Sequence, residues 1–213
     1  MAWEKTVLDL AALSGVVVPR RRLVKVNGRH VLLLERFDRS GALRIGYMSA
    51  LSMMQRKDRE PCDYVDIAET FTEFAVDTTA DLEQLWRRIA FSVAVHNTDD
   101  HLRNHGLLRS GRGWKLSPAF DINPNPNVHE QRVTSICGAS GAGDELDGLM
   151  LCAAAFGVSS ERARQVLLDV ITATREWRRV AASNGIAENE IERFDEIFDV
   201  CRKQMAATAE RGR

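Results

Sequence analysis

The side chains best suited to chemistry in this sequence are carboxylates, an amide and a histidine. Asp99, His101 and Asn104 sit together in the string HNTDDHLRNHG, and Asp121 follows downstream. Asn104 and Asp121 offer the hard oxygen ligands that Mg²⁺ prefers, leaving room for waters and phosphates. Asp99 could then orient or deprotonate an attacking hydroxyl, while His101 or Arg103 supplies positive charge or a hydrogen bond to the transferring group. Phosphoryl transfer is the chemistry that joins these roles.

Local elements must bring these groups together. Leu82, Leu85, Trp86, Ile89 and Val93 share one face of a helix that begins near Asp81 as its N-cap and runs out in the polar string, delivering Asp99 and Asn104 onto a loop. The spacing Asp99-x-x-x-x-Asn104 is the one by which protein-kinase catalytic loops hold a base and a metal-binding amide. Asp100 is the competing base, but it does not keep that interval. Two short runs, His105 to Arg109 and Trp114 to Ser117, flank Gly111-Arg112-Gly113 and predict a hairpin. A hairpin returns the chain to its starting end, so Asp121 comes back beside Asn104.

Other readings use the same residues. Asp, Asn and His at a helix end often only cap backbone groups, and Asp-x-x-x-x-Asn alone has many chance matches; the hairpin and the Phe-Asp-Ile context add the specificity. His96, His101, His105 and His129, with Asp99 and Asp121, could ligate zinc or manganese for hydrolysis. No HExxH, HxH or Cys pair supports that frame.

Upstream, Trp3, Val7, Leu10 and Ala11 recur at helical spacing before Gly15. The segment LVKVNGRHVLLLERFD holds two β-rich runs split by Asn27-Gly28, a strong tight-hairpin signal. Residues 40–60 read as loop with one helical turn, and a helix is expected from Tyr64 to Phe74. Past the glycine-rich loop 138–143, helices are expected near 144–156, 160–183 and 188–208, with Ser159, Gly157 and Gly185 as cap residues.

The composition fits a soluble globular chain. Of 213 residues, 45% are hydrophobic and 28% charged, with five Pro and fourteen Gly, which excludes a disordered or collagen-like chain. Lys plus Arg total 29 against 30 Asp plus Glu, so no global basic field announces a nucleic acid. The local run Arg20, Arg21, Arg22, Lys25 and Arg29 could face a nucleic acid or an acidic partner, but reads first as a solvated face. Cys62, Cys137, Cys152 and Cys201 lack a CxxC pair and are expected as buried thiols. With no signal peptide or long apolar stretch, a cytoplasmic protein is expected.

VLLLERFDR (31–39), HNTDDHLRNHGLL (96–108) and WKLSPAFDINP (114–124), in this order and spacing, resemble the kinase core of HipA-like proteins, the toxin kinases of bacterial toxin–antitoxin pairs. FGVSSERARQVL and the Trp177 helix resemble that family's closing bundle. The resemblance implies a two-lobed fold related to protein and lipid kinases and transfer of the ATP γ-phosphate to a serine or threonine hydroxyl. It further implies Asp99 as base with His101 as its loop companion, and Asn104 and Asp121 as magnesium ligands. Glu35 and Phe37 would be the hinge whose backbone meets adenine, with Asp38 on the ribose side. A HipB-like DNA-binding antitoxin as partner and an aminoacyl-tRNA synthetase as substrate also come from the resemblance alone; no membrane and no direct nucleic-acid contact are expected.

The resemblance also has a gap. Family members are about twice as long, and the half that carries the phosphate-covering loop and its lysine would precede residue 1. None of Lys5, Lys25, Lys57 and Lys115 follows a glycine-rich turn, and glycines 138–143 come after the metal ligands. The expected fold is therefore α+β and mainly helical: a partial N-lobe segment over 1–40, with helix, hairpin and hinge, and a kinase-like C-lobe over 41–213. The function expected is an ATP- and Mg²⁺-dependent kinase if the missing half is supplied, the sequence being either a truncated part of a longer gene product or one chain of a split enzyme. The alternative is a catalytically silent remnant that binds a partner.

Overall fold

The computed structural model describes residues 1–211, so the last two residues of the unit expected over 41–213 lie outside the described residues. Helix α1 (Ala2–Leu13) buries Val7, Leu8, Leu10 and Ala11, and Gly15 follows at φ +80°, where a Cβ would be strained. Strands β1 (Arg21–Val26) and β2 (Arg29–Leu34) pair antiparallel, with Val26 opposite Arg29. Asn27 and Gly28, at φ +48° and +78°, close the ribbon as their sequence predicts. One face of the ribbon packs Leu32 toward the core; the other leaves Val26 and Leu33 exposed.

Residues 40–60 hold more structure than the expected loop. After the small pair β3 (Arg39–Ser40) and β4 (Leu43–Arg44), strand β5 (Tyr47–Ser49) leads into the single helical turn α2 (Ala50–Met53). Strand β6 (Cys62–Asp63) precedes α3 (Tyr64–Thr72), whose start is a capping box between Asp63 and Asp66. Helix α4 (Thr78–Ala94) is capped by Asp77, which accepts from Ala80 N, and not by Asp81, which lies in the first turn. Leu82, Leu85, Trp86, Ile89, Ala90, Phe91 and Val93 are all buried, and the Trp86 indole donates to Leu149 O at 3.1 Å. This helix is the core's axis.

The expected second hairpin is β7 (Gly106–Ser110) with β8 (Gly113–Leu116), and β5 adds to it in the order β5-β7-β8. Strand β9 (Thr134–Ser135) pairs parallel with β6. The helical remainder is more broken than the apolar pattern suggests. Helix α5 (Glu145–Leu151) passes into a 3-10 turn that ends at Gly157, φ +66°. Helix α6 (Ser160–Thr174), capped by Ser159, stops at Arg175, and α7 (Trp177–Ser183) starts anew. Helix α8 (Glu188–Ile191) and a 3-10 turn lead into α9 (Asp195–Glu210). The architecture is mixed α/β, with small sheets set around a helical core.

The cysteine expectation needs one correction. Cys62, Cys152 and Cys201 are buried, but Cys137 is exposed, because it occupies a left-handed turn position at φ +51° between Ile136 and Ala139. Burial pushes the Cys62 thiol up to about 11 and those of Cys152 and Cys201 up to about 12, so none of these three is a ready nucleophile. Among the described residues no helix is long and apolar enough to cross a membrane.

Candidate functional site

Where α4 ends, His96 turns the chain at φ +50°, and the polar string follows as a loop. Partners from the asparagine-rich segment strap that loop in place. Asn125 N donates to His96 O at 3.0 Å, Asn125 Nδ2 to Thr98 Oγ1 at 2.9 Å and Asn123 N to Asn97 Oδ1 at 3.4 Å. Asn97 O in turn accepts from Arg132 Nη1 at 2.9 Å. Arg132 is fully buried and pairs with Glu145 at 2.7 Å. Burial lowers a guanidinium's basicity, yet the negative charges of Glu145 and Asp100 and the hydrogen bond to Glu145 raise this one above its usual value.

The two adjacent aspartates part ways. Asp99 is exposed, whereas Asp100 is 5% exposed and turned inward, which separates the two candidate bases by environment. Burial alone would raise the Asp100 carboxyl, but His105, the Tyr64 hydroxyl and Arg132 outweigh it and hold it well below the usual carboxylate range.

The hairpin closes the site as its geometry requires. Ser117 N donates to Gly106 O at 2.8 Å, and Asn104 Nδ2 donates to Asp121 Oδ2 at 2.8 Å. Asn104 Oδ1 accepts from His101 N at 3.2 Å, leaving the amide oxygen a second lone pair. Asn123 Nδ2 reaches the other Asp121 oxygen at 3.3 Å. Asp121 sits at φ +56°, a sparsely populated conformation held here by the bonds on both carboxylate oxygens. The donor set of one amide oxygen and one exposed carboxylate fits Mg²⁺ chemistry. The four histidines do not converge: His96 meets Asn127 O at 3.0 Å, His101 is tied by its backbone N to Asn104 Oδ1, His105 turns to Asp100, and His129 is exposed. Among the described residues no three His, Cys, Asp or Glu side chains form a metal cluster.

A second feature adjoins the first. Leu34, Glu35, Arg36, Phe37, Asp38, Tyr47 and Phe120 line a cavity of about 330 Å³ at the end of β2. The Phe37 ring lies 5.6 Å from Phe120 and 6.1 Å from Tyr47, giving the cavity an aromatic wall suited to a flat ligand. Glu35 N is used within the fold, donating to Arg20 O at 2.8 Å. Arg36 hydrogen-bonds both Asp38 oxygens at 2.9 and 2.6 Å, and with Arg39 beside it pulls that carboxyl down to about 2. Phe120 is the neighbour of Asp121, so the cavity and the Asp121 carboxylate share one stretch of backbone.

Three residues here escape a sequence reading. Tyr47 belongs to a strand of three residues that carries no pattern, and Phe120 was readable only as context for Asp121. Glu4, half-buried on α1, has a carboxyl raised by burial and by the negative charge of Asp121. The basic run is partly spent internally: Arg21 pairs with Asp9 at 2.7 Å and Arg20 faces Glu35 at 3.6 Å.

The sequence profile of the HipA-like C-terminal domain matches residues 1–206. The fold is similar to HipA of Shewanella oneidensis MR-1, solved with HipB and its operator DNA, at TM-score 0.73 and 14% identity. That match covers 98% of this chain and 55% of HipA, so this chain spans about half the length of that relative. It is equally similar, at TM-score 0.73 and 13% identity, to the Helicobacter pylori proinflammatory kinase CtkA, covering 98% of this chain and 82% of CtkA. No curated protein sequence matches it.

Proposed function

The chain belongs to the HipA-like C-terminal domain family, and on that premise we propose that it is the core of a HipA-type serine/threonine kinase that moves the ATP γ-phosphate to a protein hydroxyl. The observation that carries this reading is the 2.8 Å contact between Asn104 and Asp121 on the loop that exposes Asp99. Asp99 accepts the proton of the attacking hydroxyl, and His101 orders the loop through its N–H bond to Asn104. Asn104 and Asp121 would hold Mg²⁺, which when bound neutralises charge on the phosphates. The Glu35 and Phe37 backbone meets adenine in the aromatic-walled cavity, and Asp38 lies toward the ribose, sharing its carboxylate with Arg36 and Arg39. In this reading residues 1–40 are a fragment of an N-lobe and 41–213 the C-lobe. The partner is a HipB-like antitoxin and the substrate an aminoacyl-tRNA synthetase, so the protein is a toxin of a toxin–antitoxin pair.

A second reading has a specific observation in its favour. Among the described residues Glu4 makes no ion pair although Asp121 repels it, and protein kinases place a lysine between a helix glutamate and the ATP phosphates. A split kinase, whose other half supplies that cation, accounts for Glu4; so does a remnant that binds such a partner without catalysis.

Calorimetric titration with Mg·ATP separates these possibilities from a non-nucleotide protein. Binding is expected, weakened at least about tenfold by Asp121→Asn and lost when magnesium is removed. A melting temperature unmoved by ATP and Mg²⁺ together would overturn the kinase reading.

A further inference from the structure

Asp99 and Asp100 are chain neighbours in opposite environments, and the buried one has no part in the chemistry assigned above. Its carboxylate is bound from separate elements. Tyr64 Oη, at the start of α3, donates to Asp100 Oδ2 at 2.5 Å; Ser92 Oγ, on α4, lies 3.4 Å from the same oxygen and 3.2 Å from Asn97 O, with one proton to share between them; and His105 Nε2, entering β7, lies 3.0 Å from Oδ1. The Tyr64 ring, itself fully buried, meets the His105 imidazole edge-on at 5.5 Å. The main chain is fixed as well. Thr134 Oγ1 donates to Asp100 O at 2.6 Å, and Val133 N donates to Thr98 O at 2.9 Å, so backbone bonds bracket Asp99 on both sides.

A carboxylate taken from water costs several kcal/mol unless its oxygens are fully bonded. Retaining one here, with the Tyr64 hydroxyl on one oxygen and the His105 ring 3.0 Å from the other, has a geometric consequence. In an extended loop successive side chains point apart. Anchoring Asp100 inward therefore turns Asp99 outward.

We propose that Asp100 is a positioning residue: clamped by Tyr64, Ser92 and His105, it fixes the 96–104 loop so that Asp99 faces the space beside Asn104 and Asp121. Asp100 is not a reserve base, since its oxygens are closed off by the groups that hold them. The clamp is a property of the fold; its effect on turnover rests on the kinase reading.

Tyr64→Phe removes one hydroxyl that bonds Asp100 and none of the residues assigned to the chemistry, and Asp100→Asn keeps the shape while removing the charge. In the full chain, amide hydrogen exchange at residues 97–104 is expected to quicken about tenfold in Tyr64→Phe and more in Asp100→Asn, with α6 and α9 unchanged. ADP release from Mg·ATP should fall about tenfold in Tyr64→Phe and further in Asp100→Asn, while the Mg·ATP Kd stays within twofold. Loop exchange unchanged in a folded variant, or quickened equally in every helix, overturns the clamp. A quickened loop with unaltered ADP release overturns the positioning role. Wild-type protein that neither binds Mg·ATP nor releases ADP refutes the kinase reading instead, and loop exchange still decides the clamp.

Discussion

Around Asp99 the backbone is held from beneath by buried groups, Arg132 with Glu145 and Tyr64 and His105 with Asp100, and strapped from outside by the more exposed asparagines of the following segment. Around Phe37 the construction is reversed. A two-stranded ribbon with one open face leads into a half-exposed aromatic cavity, and its charges, Arg36, Asp38 and Arg39, pair at the surface. Positions that must hold a proton acceptor and oxygen ligands in register are over-determined, whereas a flat apolar ligand needs only walls at roughly the right spacing. The two regions should accordingly differ in what a mutation costs.

The largest difference is expected at Arg132. Arg132→Met leaves Glu145 charged and buried and takes one of two donors from Asn97 O, at a cost of about 3–5 kcal/mol. For a chain of this size that lowers the melting temperature by about 6–20 °C, read by circular dichroism. A shift of a degree or two would mean that the loop is not held from beneath. Next comes the joint between the regions. A Cβ on Gly106 would lie 2.2 Å from the Tyr47 ring, so Gly106→Ala should cost about 1–3 kcal/mol and, by displacing a cavity wall, weaken Mg·ATP binding. Lost stability with intact nucleotide affinity would separate Tyr47 from the ligand.

Near neutral pH a dependence follows on the loop side. Burial lowers the His96 pKa from its ordinary value, despite the Asn127 carbonyl on its ring. A lowered histidine binds fewer protons folded than unfolded, so its contribution is full above about pH 6.5 and is lost as pH falls toward the folded pKa. Melting temperatures measured downward from pH 7 should fall, and His96→Gln should flatten the slope. An unchanged slope would place the titration elsewhere.

The loop side was also the more legible one in the sequence. Asn104 and Asp121 could be brought together because a glycine-turned hairpin has one geometric outcome, and Asn27-Gly28 announced the first ribbon for the same reason. The inward turn of Asp100 was not readable, since Tyr64, Ser92 and His105 meet it only after three elements pack. Strand β5 escaped because Tyr47–Ser49 is too short to show alternation, and its pairing with β7 is long-range. The break at Arg175 and Glu176 left no mark, because the apolar spacing continues across it. Asp77 and Asp81 are both plausible caps by type; the side-chain bond to Ala80 N chose the first.

The smallest effect is expected on the ribbon's open face, and it tests the comparison from its weak side. Leu33 is 45% exposed and stands opposite Arg22, while its neighbour Leu32 packs against the core. Leu33→Ser changes little apolar burial, so its cost should stay within about 0.5 kcal/mol, a melting shift of about 2 °C or less. Leu32→Ala, which empties space against the core, should cost several times more. If Leu33→Ser instead destabilises as much as Leu32→Ala, the open face is covered in solution, and the ribbon is as firmly held as the loop.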